Sequence, residues 1–186
     1  MSEYYNMKIA GLDRKLPICR VSDDLYIGAF VIFGDTELTV ACAKEMLKRA
    51  PDYDYIITAE SKGIPLAYEM AKQHNDSYHF IARKKPKLYM TGVFEVTVNS
   101  LTTVGEQKLY LDTADAKKMN GKRILIVDDV ISTGESLKAV ETLVNKAGGK
   151  IVGKMSVLAE GEAQDRHDII YLEKLPLFNP DGTVKK

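Results

Sequence analysis

The chain has 186 residues, 45% of them hydrophobic and 28% charged, and its 26 basic and 26 acidic side chains give a formal net charge of zero. That length suits one well-buried domain, and the composition lacks the hydrophobic poverty and charge imbalance of a disordered chain. A balanced charge gives no global attraction to nucleic acid or to an anionic membrane, so neither is an expected partner.

Cys19 and Cys42 lie far apart, without CxxC or metal-ligand spacing, and read as reduced thiols with structural roles in a cytoplasmic protein. The start "MSEYYNMKIAG" lacks the charged and apolar regions of a signal peptide, and no apolar run reaches the length of a membrane span. His74, His79 and His167 show no metal-binding spacing. The expected location is the cytoplasm.

Residues 1–35 hold too few apolar side chains for a core of their own and read as strand and loop. From Asp35, "DTELTVACAKEMLKRAP" offers a capping acid, apolar residues at mixed three and four spacings, basic residues near its end and a closing proline, which predicts a helix. "YDYIITAESKGIPLAYEMAKQHN" then runs from a strand over Tyr55 to Thr58, through a loop from Ala59 to Gly63, into a helix from about Pro65. "SYHFIAR", Ser77 to Arg83, predicts another strand, and the stretch from there to about Gln107 has no convincing period and reads as loop or hairpin. "KLYLD" returns as a strand. "ILIV" is the continuous apolar run of a parallel strand buried on both faces.

"SLKAVETLVNKAGG" predicts a helix stopped by Gly148 and Gly149, and "KIVGKMSVLAEG" the following strand. Residues 161–186 again read as strand and loop, and with 1–35 they are expected to form a small hood on a single domain. Alternation of strands and helices predicts an α/β fold: a doubly wound, mainly parallel sheet flanked by helices, with ligands beyond the C-terminal strand ends.

In "ILIVDDVISTGES", Ile124 to Ser136, Asp128 and Asp129 follow the buried strand, and neighbouring strand residues can approach one ligand from different sides. Carboxylates accept hydrogen bonds from sugar hydroxyls or hold a divalent ion. Ser132, Thr133, Gly134, Glu135 and Ser136 lead into the helix, where unpaired amides and the positive dipole end attract phosphate and a glycine permits close approach. Each residue alone also fits an ordinary helix cap, with Thr133 or Ser136 as N-cap. Their order points instead to a ligand carrying both a diol and a phosphate, a ribose 5-phosphate unit. Neither GxxxxGK[ST] nor GxGxxG occurs.

A second strand-to-helix turn, "AESKG", presents Ser61, Lys62 and Gly63 and repeats the geometry of an anion site. "ARKKPKL" adds Arg83, Lys84, Lys85 and Lys87, which read either as a solvated run or as cations for a highly charged leaving group beneath a closing loop.

"ILIVDDVISTGES" resembles the signature of type I phosphoribosyltransferases, which bind 5-phosphoribosyl 1-pyrophosphate (PRPP). The resemblance implies that Asp128 and Asp129 contact the ribose hydroxyls, that residues 132–136 enclose the 5-phosphate, and that Mg2+ arrives with PRPP near the acids, without a ligand set of the protein's own. "AESKG" is similar to the pyrophosphate loop of adenine phosphoribosyltransferases, with Lys62 in place of their Arg, so charge neutralisation is kept without a bidentate fork. "RKK" is similar to the start of their flexible catalytic loop, which puts Lys85 with the acids among the catalytic residues and makes a lid of the segment that follows.

"FGDTELTVACAKEM" resembles a segment whose aromatic packs on the base, making Phe33 either that stacking ring or core, and Val130 a further base contact. Thr102 and Thr103 stand where those enzymes carry a catalytic acid, which leaves Glu106, water or backbone for proton transfer. Hypoxanthine-guanine enzymes usually have an acid at the position of Ser132, which argues against that branch. The resemblance implies a homodimeric, Mg-dependent purine phosphoribosyltransferase of salvage, for adenine first. The alternatives are a hypoxanthine, guanine or xanthine enzyme, or a PRPP-sensing regulator without activity.

Overall fold

In a computed structural model that describes residues 4–99 and 106–185, the apolar runs become a five-stranded parallel sheet. It comprises β4 (Tyr55–Ala59), β5 (Phe80–Ala82), β8 (Arg123–Ile131), β9 (Lys150–Glu160) and β10 (Ile170–Leu175), in the order β10-β9-β8-β4-β5. Ile124, Leu125, Ile126 and Val127 are all buried, as a central strand covered on both faces requires.

One face is covered by α1 (Thr36–Leu47) and α2 (Ile64–His74), through Leu38, Met46, Leu66 and Met70. The other is covered by α3 (Thr113–Met119) and α4 (Glu135–Lys146), through Met119, Leu137, Leu143 and Val144. Each of these side chains contributes roughly 1.5–3 kcal/mol by leaving water, so the two helical layers fix the sheet far more firmly than helix propensity could. The chain winds outward from β4 to β5 and then returns to lay β8 on the other side of β4. That reversal opens a crevice between the C-terminal ends of β4 and β8, where open α/β sheets bind ligands.

Asp35 caps α1 by accepting from the Leu38 amide at 3.0 Å. The strand expected over Ser77 to Arg83 is confined to Phe80–Ala82. The aperiodic stretch contains the antiparallel hairpin of β6 (Val93–Asn99) and β7 (Glu106–Asp112), of which "KLYLD" is the second half. Helix α3 has no counterpart in the sequence reading: its seven residues are too few to display an apolar period, and its N-cap Asp112 also closes a strand.

The N-terminal strands β1 (Tyr4–Ile9), β2 (Leu12–Arg20) and β3 (Tyr26–Gly28) form a small antiparallel sheet, completed by β11 (Leu177–Phe178). Of residues 161–186, therefore, two join the small sheet while β10 extends the large one, parallel to β9. Leu172 and Leu175 of β10 enter the same core cluster as Ile9, Leu16, Phe30 and Ile32, so the two sheets share apolar packing. Arg14 of β2 adds a polar tie, with its Nε 2.6 Å from Asp35 Oδ2 and its Nη2 2.8 Å from Glu37 Oε2. The Arg14 guanidinium holds the Asp35 carboxyl below its ordinary pKa.

Both cysteines are free, and burial pushes the Cys42 thiol up to about 12, which makes it an inert core group. Among the described residues no helix is long and apolar enough to cross a membrane.

Candidate active site

A cleft of about 470 Å3 opens at the crevice between β4 and β8. Asp128, Asp129, Val130, Ser132, Thr133, Gly134, Glu135 and Ser136 line one side, and Ser61, Lys62 and Lys84 the other. Residues separated by as many as 75 positions in the sequence thus converge on a volume suited to a small ligand.

The acids lie inside β8, which continues to Ile131, so their backbones are held by the sheet and only their carboxylates are available. Asp128 Oδ1 accepts from the Asp129 amide at 2.8 Å. Burial first, and the Asp129 charge second, push the Asp128 carboxyl well above its ordinary pKa. Asp129 is buried too, and Lys62 Nζ reaches across from the other turn to within 2.9 Å of its Oδ2. The approach is a charge pairing without hydrogen-bond alignment, so this buried oxygen is left without a hydrogen bond.

At the start of α4, Gly134 takes the left-handed conformation at φ 80 and no side chain caps the helix. Glu135 N approaches Thr133 Oγ1 only at a long 3.5 Å. Neither Thr133 nor Ser136 acts as the N-cap, and the first-turn amides are left to an anion or to water. The start of α2 is likewise uncapped, but there Gly63 has an ordinary helical φ of −71. Gly63 is needed for room: a Cβ would collide with Thr58 Oγ1 and come within 3.2 Å of Asp128 Oδ1.

The basic run divides. Glu60 Oε2 accepts from the Lys84 amide at 3.0 Å, while its Oε1 lies 3.2 Å from Arg83 Nη1 and 3.4 Å from Lys87 Nζ. Burial is the largest influence on the Glu60 carboxyl and would raise it, but these amide and cation contacts together hold it below its ordinary value. Arg83 also donates to Tyr89 Oη at 2.7 Å. Arg83 and Lys87 are thereby turned to Glu60, Lys84 lines the cleft, and Lys85 stands exposed outside its lining. Phe33 is 48% exposed, ahead of α1, so it is not core, and it does not line the cleft. Thr102 and Thr103 lie outside the described residues, as does the Glu106 side chain.

Four neighbours of the cleft escaped the sequence reading. Glu60 lies within the quoted turn, and its place between a strand end and a basic run was the available signal. Lys108 and Leu109 reach the cleft from β7 because Arg83 and Tyr110 exchange backbone hydrogen bonds of 2.8 Å, tying the hairpin to the basic run. Arg166 follows β9, and its Nη1 would be 2.5 Å from a Cβ on Gly134. Asp168 holds that guanidinium through Nε at 2.9 Å and Nη2 at 2.7 Å. Nothing local in the sequence marks Arg166.

Among the described residues no group of three or more His, Cys, Asp or Glu could enclose a metal. The unbonded Asp129 oxygen beside Asp128 nevertheless suits Mg2+, an ion that keeps waters and takes one or two carboxylates with substrate phosphates.

Fold and cleft define an α/β protein with an open crevice at the switch point of a doubly wound sheet. The phosphoribosyl transferase domain family matches residues 37–176. The chain belongs to that family. It is 34% identical over 113 residues to a hypoxanthine/guanine phosphoribosyltransferase of Methanococcus voltae, covering 61% of this chain and 56% of that protein, so it spans little more than half of that relative. An adenine phosphoribosyltransferase of Petrotoga mobilis is 32% identical over 138 residues, covering 72% and 65% of the two chains. The crystal structure of adenine phosphoribosyltransferase from Thermoanaerobacter pseudethanolicus shares the fold, with a TM-score of 0.64 and 19% identity over 92% of this chain and 95% of that one.

Proposed function

We propose that this chain is a cytoplasmic, magnesium-dependent purine phosphoribosyltransferase that converts adenine and PRPP to AMP and pyrophosphate in salvage and, by family resemblance, works as a homodimer. The observation that carries the reading is the uncapped start of α4 at Gly134, placed directly beyond two acids of which one buried oxygen has no hydrogen bond. Such an end accepts the 5-phosphate, and the carboxylates accept the ribose hydroxyls.

The bond from the anomeric carbon to the pyrophosphate oxygen breaks while a ring nitrogen of the base bonds to that carbon and gives up its proton to water. Catalysis then consists of holding the partners in line and stabilising charge on the leaving group. Ser61, Lys62 and Gly63 receive the pyrophosphate with Lys84. Arg83, Lys85 and Lys87 join when the hairpin carrying Lys108 closes as a lid and excludes water. Asp128 and Asp129 also favour the positive charge that builds on the sugar ring. Mg2+, when bound, neutralises pyrophosphate charge, and Asp128 and Asp129 are the residues that would hold it. Val130 meets the base from β8, and Phe33 stacks on it from the small sheet's side.

A second reading, transfer to hypoxanthine or guanine, is favoured by the identity to the Methanococcus voltae relative. The test is pyrophosphate release from PRPP and Mg2+ with each of adenine, hypoxanthine, guanine and xanthine. Release with adenine above the others supports the first reading, and release with hypoxanthine or guanine above adenine supports the second. Tight PRPP binding with no release from any base would identify a PRPP sensor instead.

A further inference from the structure

Asp129 and Lys62 both line the cleft, and they differ in how firmly they are held. Asp129 sits inside β8, between the rungs that pair Asp128 with Ser156 and Val130 with Leu158 of β9, and its side chain is only 4% exposed. Lys62 belongs to a turn whose backbone is anchored: Glu60 N donates to Ala82 O at 2.8 Å, and the Glu60 carboxylate is held by the Lys84 amide, Arg83 and Lys87. The Lys62 side chain itself is 47% exposed, so its flexible stem can swing without disturbing the core. A fixed carboxylate thus faces a cation able to leave it.

The Lys62 ammonium lies 2.9 Å from Asp129 Oδ2, the buried oxygen that has no hydrogen bond. Among the described residues no other cation forms an ion pair with Asp128 or Asp129, and Arg83 and Lys87 are turned to Glu60. Two adjacent buried carboxylates need a compensating positive charge, and Lys62 supplies it. A divalent ion seeking the same oxygen would meet the ammonium as a like charge at close range. Pyrophosphate changes that balance. Ser61, Lys62 and Lys84 line the opposite side of the cleft, where a pyrophosphate offers the ammonium several charged oxygens in place of one.

We propose that Lys62 is a positioning residue that guards the acid pair: its ammonium takes the cation's place at Asp129 until PRPP arrives, keeps free divalent ions out, and moves to the pyrophosphate when metal and PRPP enter together. The move to pyrophosphate rests on the transferase reading above, whereas the exclusion of free metal stands on the Lys62 and Asp129 pair alone. The step is an exchange of partners. Asp129 gives up the ammonium for the metal and Lys62 gives up the carboxylate for pyrophosphate, so neither charge is left unpaired. With metal alone Lys62 gains no new partner, and the two cations compete for one oxygen.

The experiment titrates Mn2+, a paramagnetic substitute for Mg2+ at carboxylate sites, into the wild-type protein, Lys62→Met and Lys62→Arg without PRPP, reading the relaxation of water protons. Met keeps an unbranched stem and removes the charge, and Arg keeps the charge. Lys62→Met is expected to bind Mn2+ at least about tenfold more tightly than wild type, because a repelling charge at close range is gone. Lys62→Arg should stay within about threefold of wild type. The gain should vanish when Asp129→Asn is added to Lys62→Met, which places the ion at the acids. Equal binding by wild type and Lys62→Met, an equal gain in Lys62→Arg, or a gain that survives Asp129→Asn overturns the assignment and leaves the transferase reading intact. Should melting curves show Lys62→Met unfolded, side-chain NMR of the wild type decides. The Lys62 signal, identified by its loss in Lys62→Arg, is expected to move with PRPP and Mg2+ together and to stay with Mg2+ alone; movement with Mg2+ alone, or none with both, overturns the assignment. If the wild type turns over no purine, the transferase reading fails, and the Mn2+ titration still decides whether Lys62 guards the acids.

Discussion

Two strand-end turns face each other across the cleft, and they are built by different means. The turn after β8 relies on backbone: residues 132–136 contain no cation, and the helix behind them starts at a left-handed glycine without a capping side chain. The turn after β4 relies on a side chain, Lys62, and its glycine has an ordinary φ. Gly134 is required first by torsion, with the far end of the Arg166 side chain also in the way of a Cβ, and Gly63 by space. Both turns read as a glycine before a helix, so the comparison teaches that the reason for a glycine belongs to its tertiary surroundings. The turns meet at Asp128 and Asp129: one acid would crowd a Cβ on Gly63, and the other pairs with Lys62.

The largest effect is expected where the turns meet. Asp129→Ala should lower kcat/KM for PRPP by about 10³-fold, the loss typical of removing one preorganised polar group from a transition state. A fall of less than tenfold in a steady-state assay would place the diol site elsewhere. Next comes the contrast between the glycines. Gly63→Ala should cost about 1–3 kcal/mol of unfolding free energy through overpacking, and Gly134→Ala about 1–2 kcal/mol through left-handed strain. Asn should recover much of the loss at 134, since it tolerates φ > 0 and the long Arg166 side chain can swing aside, and none at 63, where a Cβ meets the buried Thr58. Urea unfolding measures all four variants, and recovery by Asn at both positions would erase the distinction between torsion and space.

The smallest effect concerns pH. The raised Asp128 pKa means that its stabilising contribution to the ligand-free fold is full below the ordinary carboxylate value of 3.8 and is lost as pH rises through the raised value. Asp128→Asn, which cannot ionise, should therefore be more stable than wild type at pH 8, on the order of 1 kcal/mol, with the difference vanishing near pH 4. Activity should be lost at both pH values. Melting curves across that range would refute the assignment if the variant's advantage were constant or grew as pH fell.

Much of this architecture is legible in the sequence because its signals are local. Asp128 and Asp129 directly follow a buried run and directly precede a small-residue turn and an amphipathic helix. Lys62 has the same local context after β4. Glu60 was visible but ambiguous, since an acid in a turn declares no partner until Arg83, Lys84 and Lys87 fold back on it. Helix α3 is too short for a period, and the assignment of β10 to the large sheet rests on pairing with β9, which its own residues do not encode.

By itself the sequence determined the alternation of strand and helix, the two turns, and the residue types that suit phosphate and diol, because these follow from side-chain chemistry within a few neighbouring positions. Tertiary structure alone decided that the turns share one crevice, that Lys62 pairs with Asp129 and that Arg166 lies against Gly134. Those relations join residues distant in the chain, and they arise only when burying the apolar faces brings the strand ends together.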